Sequence, residues 1–444
     1  MFNAAKVGFD FFTQLTAVGR VNLVSLRSAN TLRTVIDSSG NVFLSQVVSG
    51  NLSLTIIPAN GTAAIGRSIT GATRNAFAVT VNETGGSGRT YISVGTIVVS
   101  TNTFNEAIQV LGSTGATSGA QAVFYGTSTS IYFNNIYGVY IDTTEGIEIY
   151  MGTAITSGTK FILSGSTDPA TAITPTTMRS VVNAAGTFTI TRMVYEPVNK
   201  YVLMVGQSVI SSVTSALLIV GSGTGYGTYK SIALGATSTQ SHFFSDVCVD
   251  KSNKDYVYAV GSTFNTFLGE FEPFIAKFDV SGATISNLWY KVFTGTFGTG
   301  RFTSVASDSS GNVYAFGSIN FSNNPGVVKF DSSGNILWAR SFSSSASISG
   351  TAISVIGSTI YLVFTSASSN TLTYSMPTDG TYSNVLINSV RVIVNPEPVT
   401  TQSLTLTVTN PTFTSATLTP TTSGSAVTRT NSSQNPTSRT IQTY

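Results

Sequence analysis

Apolar positions along this chain fall in short runs, separated by Gly, Ser, Asn and Asp. No long segment places apolar residues at i, i+3, i+4 and i+7, so the helical period is missing. Thr, Ser, Val, Ile, Phe and Tyr dominate, as pleated strands prefer. The pattern predicts an all-β chain, with at most a few turns of helix near Phe12 to Val18.

The runs repeat. One unit reads Thr303-Ser-Val-Ala-Ser-Asp-Ser-Ser-Gly-Asn-Val-Tyr-Ala-Phe-Gly-Ser318 and continues through Gly326-Val-Val-Lys-Phe-Asp331 to Trp338. The unit before it has Val257-Tyr-Ala-Val-Gly-Ser262, Phe274-Ile-Ala-Lys-Phe-Asp279 and Asn287-Leu-Trp289. Lys277 corresponds to Lys329, and the two tryptophans, Trp289 and Trp338, correspond to each other. Each unit offers four strand-like runs. Aligning the ends of the second runs gives anchors at Gln46, Gly95, Gly152, Gly206, Gly261, Gly317 and Phe364. The steps are 49, 57, 54, 55, 56 and 47 residues, within the range of the longer propeller repeats.

The second runs also separate the architectures. Val202-Leu-Met-Val, Val257-Tyr-Ala-Val, Val313-Tyr-Ala-Phe and Ile360-Tyr-Leu-Val are apolar at consecutive positions. A sheet with one wet face alternates, whereas sheets stacked face to face bury both sides. The expectation is a seven-bladed β-propeller of four-stranded antiparallel blades, over residues 29–398. Residues 1–28 form an N-terminal arm in which Val21-Asn-Leu-Val-Ser-Leu26 suits a ring-closing strand. Residues 399–444 form a Thr/Ser-rich extended C-terminal arm without acidic residues. Ser403-Leu-Thr-Leu-Thr-Val-Thr409 alternates there, as a strand with one buried face would. An arm so poor in apolar area must be pinned to something to be ordered, for example a neighbouring subunit.

Composition narrows the function classes. Charged residues make up 9% of the chain, against roughly 25% in an average soluble domain. Yet the mean hydropathy is +0.24, so solubility rests on Ser, Thr, Asn and Gly. A net charge of +3, with no dense Lys/Arg stripe, argues against nucleic acid. The N-terminal residues do not read as a signal peptide, since Asp10 interrupts the apolar stretch. The uncharged segment Tyr201 to Gly221 is long enough for a membrane span, but its central Ser, Thr and Gln residues predict two strands and a turn. No membrane insertion is expected.

Candidate chemistry is sparse. Asp37-Ser-Ser-Gly-Asn41, Asp308-Ser-Ser-Gly-Asn312 and Asp331-Ser-Ser-Gly-Asn335 each supply one carboxylate. Calcium needs six to eight oxygens, so hairpin turns are the better reading. Gly221-Ser-Gly-Thr-Gly-Tyr-Gly227 lacks the strand–helix setting of a phosphate loop. His242 is the single histidine, and its neighbourhood suggests a structural or surface role. Cys248 lies in a strand-like run and reads as a buried structural thiol. Glu270 and Glu272 read as loop residues, which leaves no evident acid pair at the roughly 5 to 10 Å that glycosidases use. Tyr125, Tyr132, Phe133, Tyr137, Tyr140 and Tyr150 are candidates for sugar stacking, or for packing between blades. No catalytic, cofactor-binding or metal residue is assigned, no cofactor is expected, and the chain is expected not to be an enzyme.

Residues 300 to 345 resemble a bacterial and phage β-propeller repeat that reads Asp-x-x-Gly-Asn-Val-Tyr-x-x-Gly, Lys-Phe-Asp-x-x-Gly, Trp. The matching positions are Asp308, Gly311, Asn312, Val313, Tyr314, Gly317, Lys329, Phe330, Asp331, Gly334 and Trp338. By overall style the chain resembles a tailed-phage virion protein. That resemblance implies a non-enzymatic structural component of the virion, tail-associated or particle-decorating, with other virion proteins as partners in a symmetric oligomer or ring. The alternative is a carbohydrate-binding adhesin, on a virion or a bacterial cell surface, that meets a host glycan. A polysaccharide lyase or hydrolase is the second alternative.

Overall fold

The computed structural model describes residues 20–25, 33–48, 51–59, 65–69, 73–82, 90–99, 102–111, 116–121, 133–142, 147–154, 160–166, 174–183, 186–222, 227–235, 240–265, 269–293, 300–319, 324–345, 348–366, 370–382, 384–387, 390–399, 401–402, 406–414, 417–418, 431–433 and 438–443. Among them every regular element is a strand, and the possible helix near Phe12 lies outside them.

The first strand is β1 (Arg20–Ser25). Next come β2 (Arg33–Ile36), β3 (Val42–Val48), β4 (Asn51–Ile57) and β5 (Ile65–Ile69). They are followed by β6 (Thr73–Asn82), β7 (Thr90–Val99), β8 (Asn102–Leu111) and β9 (Ala116–Gln121). The chain continues as β10 (Phe133–Asp142), β11 (Ile147–Ala154), β12 (Lys160–Ser166) and β13 (Thr174–Asn183). The middle holds β14 (Thr187–Glu196), β15 (Tyr201–Ile210), β16 (Val213–Ser222) and β17 (Thr228–Gly235). Then follow β18 (Gln240–Val249), β19 (Tyr256–Asn265), β20 (Glu270–Asp279) and β21 (Ser286–Phe293). Two further groups are β22 (Arg301–Ser307), β23 (Val313–Ser318), β24 (Pro325–Phe330) and β25 (Ile336–Ser344), then β26 (Ile348–Ile356), β27 (Thr359–Ser366) and β28 (Asn370–Pro377). The remaining strands are β29 (Val385–Ile387), β30 (Val390–Pro396), β31 (Thr401–Gln402), β32 (Thr407–Thr409), β33 (Phe413–Thr414), β34 (Thr417–Leu418), β35 (Asn431–Ser433) and β36 (Ser438–Thr443).

These strands pair into separate antiparallel sheets, each built on a meander of three or four consecutive strands, in a propeller-like arrangement. Each of the seven anchor runs lies in the second strand of a different sheet. Their unbroken apolar character follows from burial on both faces. In β15, Leu203 and Val205 join a core with Phe244, Phe274 and Phe278 of the next sheet. The intervening Val202 and Met204 point the other way, into a core with Phe188 and Phe413. The segment that imitates a membrane span is β15 and β16, joined through Ser211 and Ser212 at positive φ. No helix among the described residues is long and apolar enough to cross a membrane.

The repeated glycine of the second strand has a steric cause. In β14, β18 and β22 a bulge interrupts the pairing with the second strand, after Ile190, Phe244 and Phe302. Their partners are Gly206, Gly261 and Gly317. A Cβ at these glycines would stand 2.0 to 2.1 Å from a first-strand carbonyl oxygen. In the sheet of β26 the glycine has changed sides, since Gly350 pairs with Phe364 before the bulge. This accounts for the last anchor that lacks glycine. Gly317→Ala is expected to cost about 1–3 kcal/mol through overpacking, read as a lowered denaturation midpoint. A neutral result would show that the bulge yields freely.

The Lys and Trp of the repeat tie one sheet to the next. Lys277 Nζ and Trp289 Nε1 both donate to the Ser332 carbonyl, each at 3.1 Å. Lys329 Nζ and Trp338 Nε1 both donate to the Thr378 carbonyl, at 2.9 and 3.3 Å. Beside each acceptor a glycine at positive φ lies against the indole, Gly334 on Trp289 and Gly380 on Trp338.

Both chain arms pair within the molecule. β1 lies between β28 and β36, so the last sheet runs β26-β27-β28-β1-β36. From β30 onward, through the C-terminal arm, the chain then visits the sheets in reverse order. β30 pairs with β25, β31 with β21, β32 with β17, and β33 and β34 with β13. β35 then pairs with β5 and β36 with β1. The sheet β6-β7-β8-β9 gains no such strand among the described residues. The arm is pinned to the outer edges of its own sheets. Within the alternating run Ser403 to Thr409, residues 403–405 lie outside the described residues, Leu406 is buried and β32 is exposed.

Candidate functional site

The bulges that require glycine in the second strands also shape a cleft. The extra residues in the first strands are Thr191, Ser245, Thr303 and Thr351, a hydroxyl in four consecutive sheets. Thr191 Oγ1 donates at 2.6 Å to the Phe244 carbonyl of the next sheet, and Thr303 Oγ1 at 3.0 Å to that of Gly350. These four residues line a cavity of about 450 Å³ with Thr34 of β2, Arg192, Asp246, Arg301 and Ser304.

Asp246 is the electrostatic centre. Its Oδ2 accepts from Ser304 Oγ at 2.9 Å and from the Val305 amide at 3.1 Å. Its Oδ1 lies 3.3 Å from Arg192 Nε, out of line for a hydrogen bond, so that contact is an ion pair. One carboxylate thus joins β14, β18 and β22. Burial pushes the Asp246 carboxyl up, while Arg192, Ser304 and the two amides oppose that shift. The described lining holds this single carboxylate against two guanidinium groups, Arg192 and Arg301. Arg301 is exposed, and Thr34 Oγ1 is buried without a hydrogen-bond partner.

The motifs singled out in the sequence lie elsewhere. In the hairpin 308–312, Asp308 Oδ1 accepts the Ser310 and Asn312 amides, and Oδ2 accepts from Asn312 Nδ2. The loops at Asp37 and Asp331 repeat these bonds. Against burial, these donors hold the Asp308 and Asp331 carboxyls below the usual range. N–H groups aimed at a carboxylate are the wrong polarity for a cation. Among the described residues no cluster of His, Cys, Asp and Glu could hold a metal ion.

The glycine-rich stretch bridges β16 and β17, and its residues 223–226 lie outside the described ones. So do Tyr125 and Tyr132, and the side chains of Phe133, Tyr137, Tyr140 and Tyr150. Glu270 and Glu272 are not loop residues. They open β20, because pairing with β19 extends past the apolar run, and Glu272 is buried opposite Thr263. Cys248 lies in β18, partly buried, and burial pushes its thiol up. The sequence reading missed the cleft. Its signal is the hydroxyl that precedes Arg192, Asp246 and Ser304 at repeat spacing.

His242 is fully buried in β18, near the Phe274 ring, and neither nitrogen has a hydrogen-bond partner. Burial lowers its pKa from 6.5 to about 4. The unfolded chain takes up a proton below pH 6.5, and the folded one only near pH 4. The stability this neutral imidazole confers is therefore complete above pH 6.5 and lost as the pH falls to 4. A shift of this size corresponds to about 3 kcal/mol. His242→Leu should lose about that much less stability than the wild type between pH 7 and pH 4, in denaturant melts. Parallel pH profiles would refute this.

No family model matches the sequence, and no curated protein matches it. Solved structures do resemble it. A prolyl endopeptidase aligns at 14% identity with a TM-score of 0.41, over 79% of this chain and 46% of that one. NanB with Optactamide aligns at 11% and 0.38, over 84% of this chain and 70% of that one. Sqt1 of Chaetomium thermophilum, bound to the N-terminus of ribosomal protein L10, aligns at 10% and 0.37, over 73% and 93%. This chain therefore spans under half the length of the prolyl endopeptidase. The expectation that the chain is not an enzyme does not stand. Prolyl endopeptidase and the sialidase NanB are enzymes, so the resemblance gives no ground for excluding catalysis. At these scores it assigns no reaction either.

Proposed function

We propose that the sheets are the blades of a closed seven-bladed β-propeller, each blade built on four antiparallel strands. Two observations support this reading. The first strands touch in the order β2, β6, β10, β14, β18, β22 and β26, and β26 touches β2 in turn. The fourth strand of the last blade is β1, from the other end of the chain.

The proposed role is a structural protein of a bacteriophage virion, tail-associated or particle-decorating, that works through protein contacts of the propeller. The observation that carries it is the C-terminal arm, which together with the preceding β30 pairs onto the outer strands of six sheets. An open edge invites pairing with other chains, so a capped scaffold with few charges suits dense packing in a particle. Mass spectrometry of purified particles tests the role. The protein should copurify with them at a copy number matching a symmetric ring. Its absence from particles and presence as a soluble host-cell protein would overturn the reading. Glycan binding by a particle-borne adhesin is a second reading, favoured by the hydroxyl-lined cleft.

A further inference from the structure

We propose that the cleft between the first strands binds an acidic saccharide, with Arg192 and Arg301 holding the carboxylate of a hexuronate unit. The site is the hydroxyl-lined cleft of the glycan-binding reading, on which the assignment rests. The cleft's donors and acceptors are unequally engaged. Asp246 is occupied by Ser304, the Val305 amide and Arg192. Thr191, Thr303 and Thr351 direct their protons at backbone carbonyls, which leaves their oxygens as acceptors. The donors still open are the rest of the Arg192 guanidinium and the whole of Arg301. Such a set matches an anion, and the planar fork of arginine fits a carboxylate in two-point contact.

The surroundings favour a sugar over a bare anion. The cavity of about 450 Å³ lies within the usual size for small-ligand sites. A second cavity of about 420 Å³ adjoins it, sharing Arg301, Thr303 and Gly350. There Phe271, 37% exposed, presents an aromatic ring beside Arg301. Its ring is fixed against Phe264 and Phe243, at 4.8 and 6.1 Å between centroids. A pyranose stacked on Phe271 would bring its neighbouring uronate to the two arginines, with threonine oxygens accepting from ring hydroxyls.

Calorimetric titration of the full chain with trigalacturonate tests this. Binding is expected with a dissociation constant below about 1 mM, weakening as salt rises, and maltotriose should give no heat. Arg301 is exposed where it lines both cavities, so Arg301→Gln should keep the wild-type melting temperature. It should weaken binding by about tenfold or more, as loss of a charge-assisted hydrogen bond does. Phe271→Ala should also weaken it, to a smaller degree. Absence of binding, unchanged affinity in a normally folded Arg301→Gln protein, or equally tight binding of triglutamate or inorganic phosphate would each overturn the proposal.

Discussion

Replacing Asp246 with alanine is expected to destabilise the protein by about 3–5 kcal/mol, the usual cost of breaking a buried charged network from one side. Asp246 is 8% exposed, and its carboxylate joins three consecutive sheets. Its removal strands the Val305 amide and the Ser304 hydroxyl and leaves Arg192, whose side chain is 32% exposed, without its ion pair. Each unsatisfied buried group carries a penalty of about 1–3 kcal/mol. Asp246→Asn keeps an acceptor for Ser304 and Val305 and loses only the charge, so its cost should be less than half as large. Equilibrium denaturation of both variants provides the measurement. A cost below about 1 kcal/mol for the alanine variant would show that the network is incidental to the fold.

The second large effect concerns the C-terminal arm. A chain ending at Pro398 loses β31 to β36 and keeps β30. It also loses two buried apolar side chains, Leu406 and Phe413, the latter edge-on to Phe188 at 5.0 Å. Leu406 also donates its amide to Tyr290 Oη at 3.1 Å, and Ser231 Oγ donates to the Pro411 carbonyl. At about 2–3 kcal/mol for each buried side chain, the loss is about 5 kcal/mol. The truncated chain should keep its β-sheet circular dichroism, melt at a lower temperature and self-associate through its uncovered edges. An unchanged melting temperature with a monomeric product would show that the arm contributes nothing.

Much of the architecture was legible because it rests on local chemistry. Val202-Leu-Met-Val reads as doubly buried since its alternate residues feed two different cores. The Asp-Ser-Ser-Gly-Asn hairpins read correctly since their bonds close within five residues. The cleft was not legible. A bulge shifts the inward and outward alternation by one residue, so Thr191 and Thr303 look like ordinary strand positions. Their partners, Phe244 and Gly350, lie 53 and 47 residues away. Glu270 and Glu272 misled for a related reason, because strand length follows pairing with β19 and not the apolar run. The destination of the C-terminal arm was hidden as well. Two- and three-residue pairings such as β31 and β32 leave no periodicity to detect.

The position of β1 sets a timetable for biosynthesis. On a ribosome this strand emerges about 345 residues before its partner, from Ser25 to Asn370, and its other neighbour, β36, is translated later still. The middle sheets can assemble as they are made, but the last cannot be completed until β28 and β36 have emerged. That pairing has a very high sequence separation and a correspondingly slow closure. Until then the nascent chain carries bare strand edges, the state most exposed to chaperones and to aggregation.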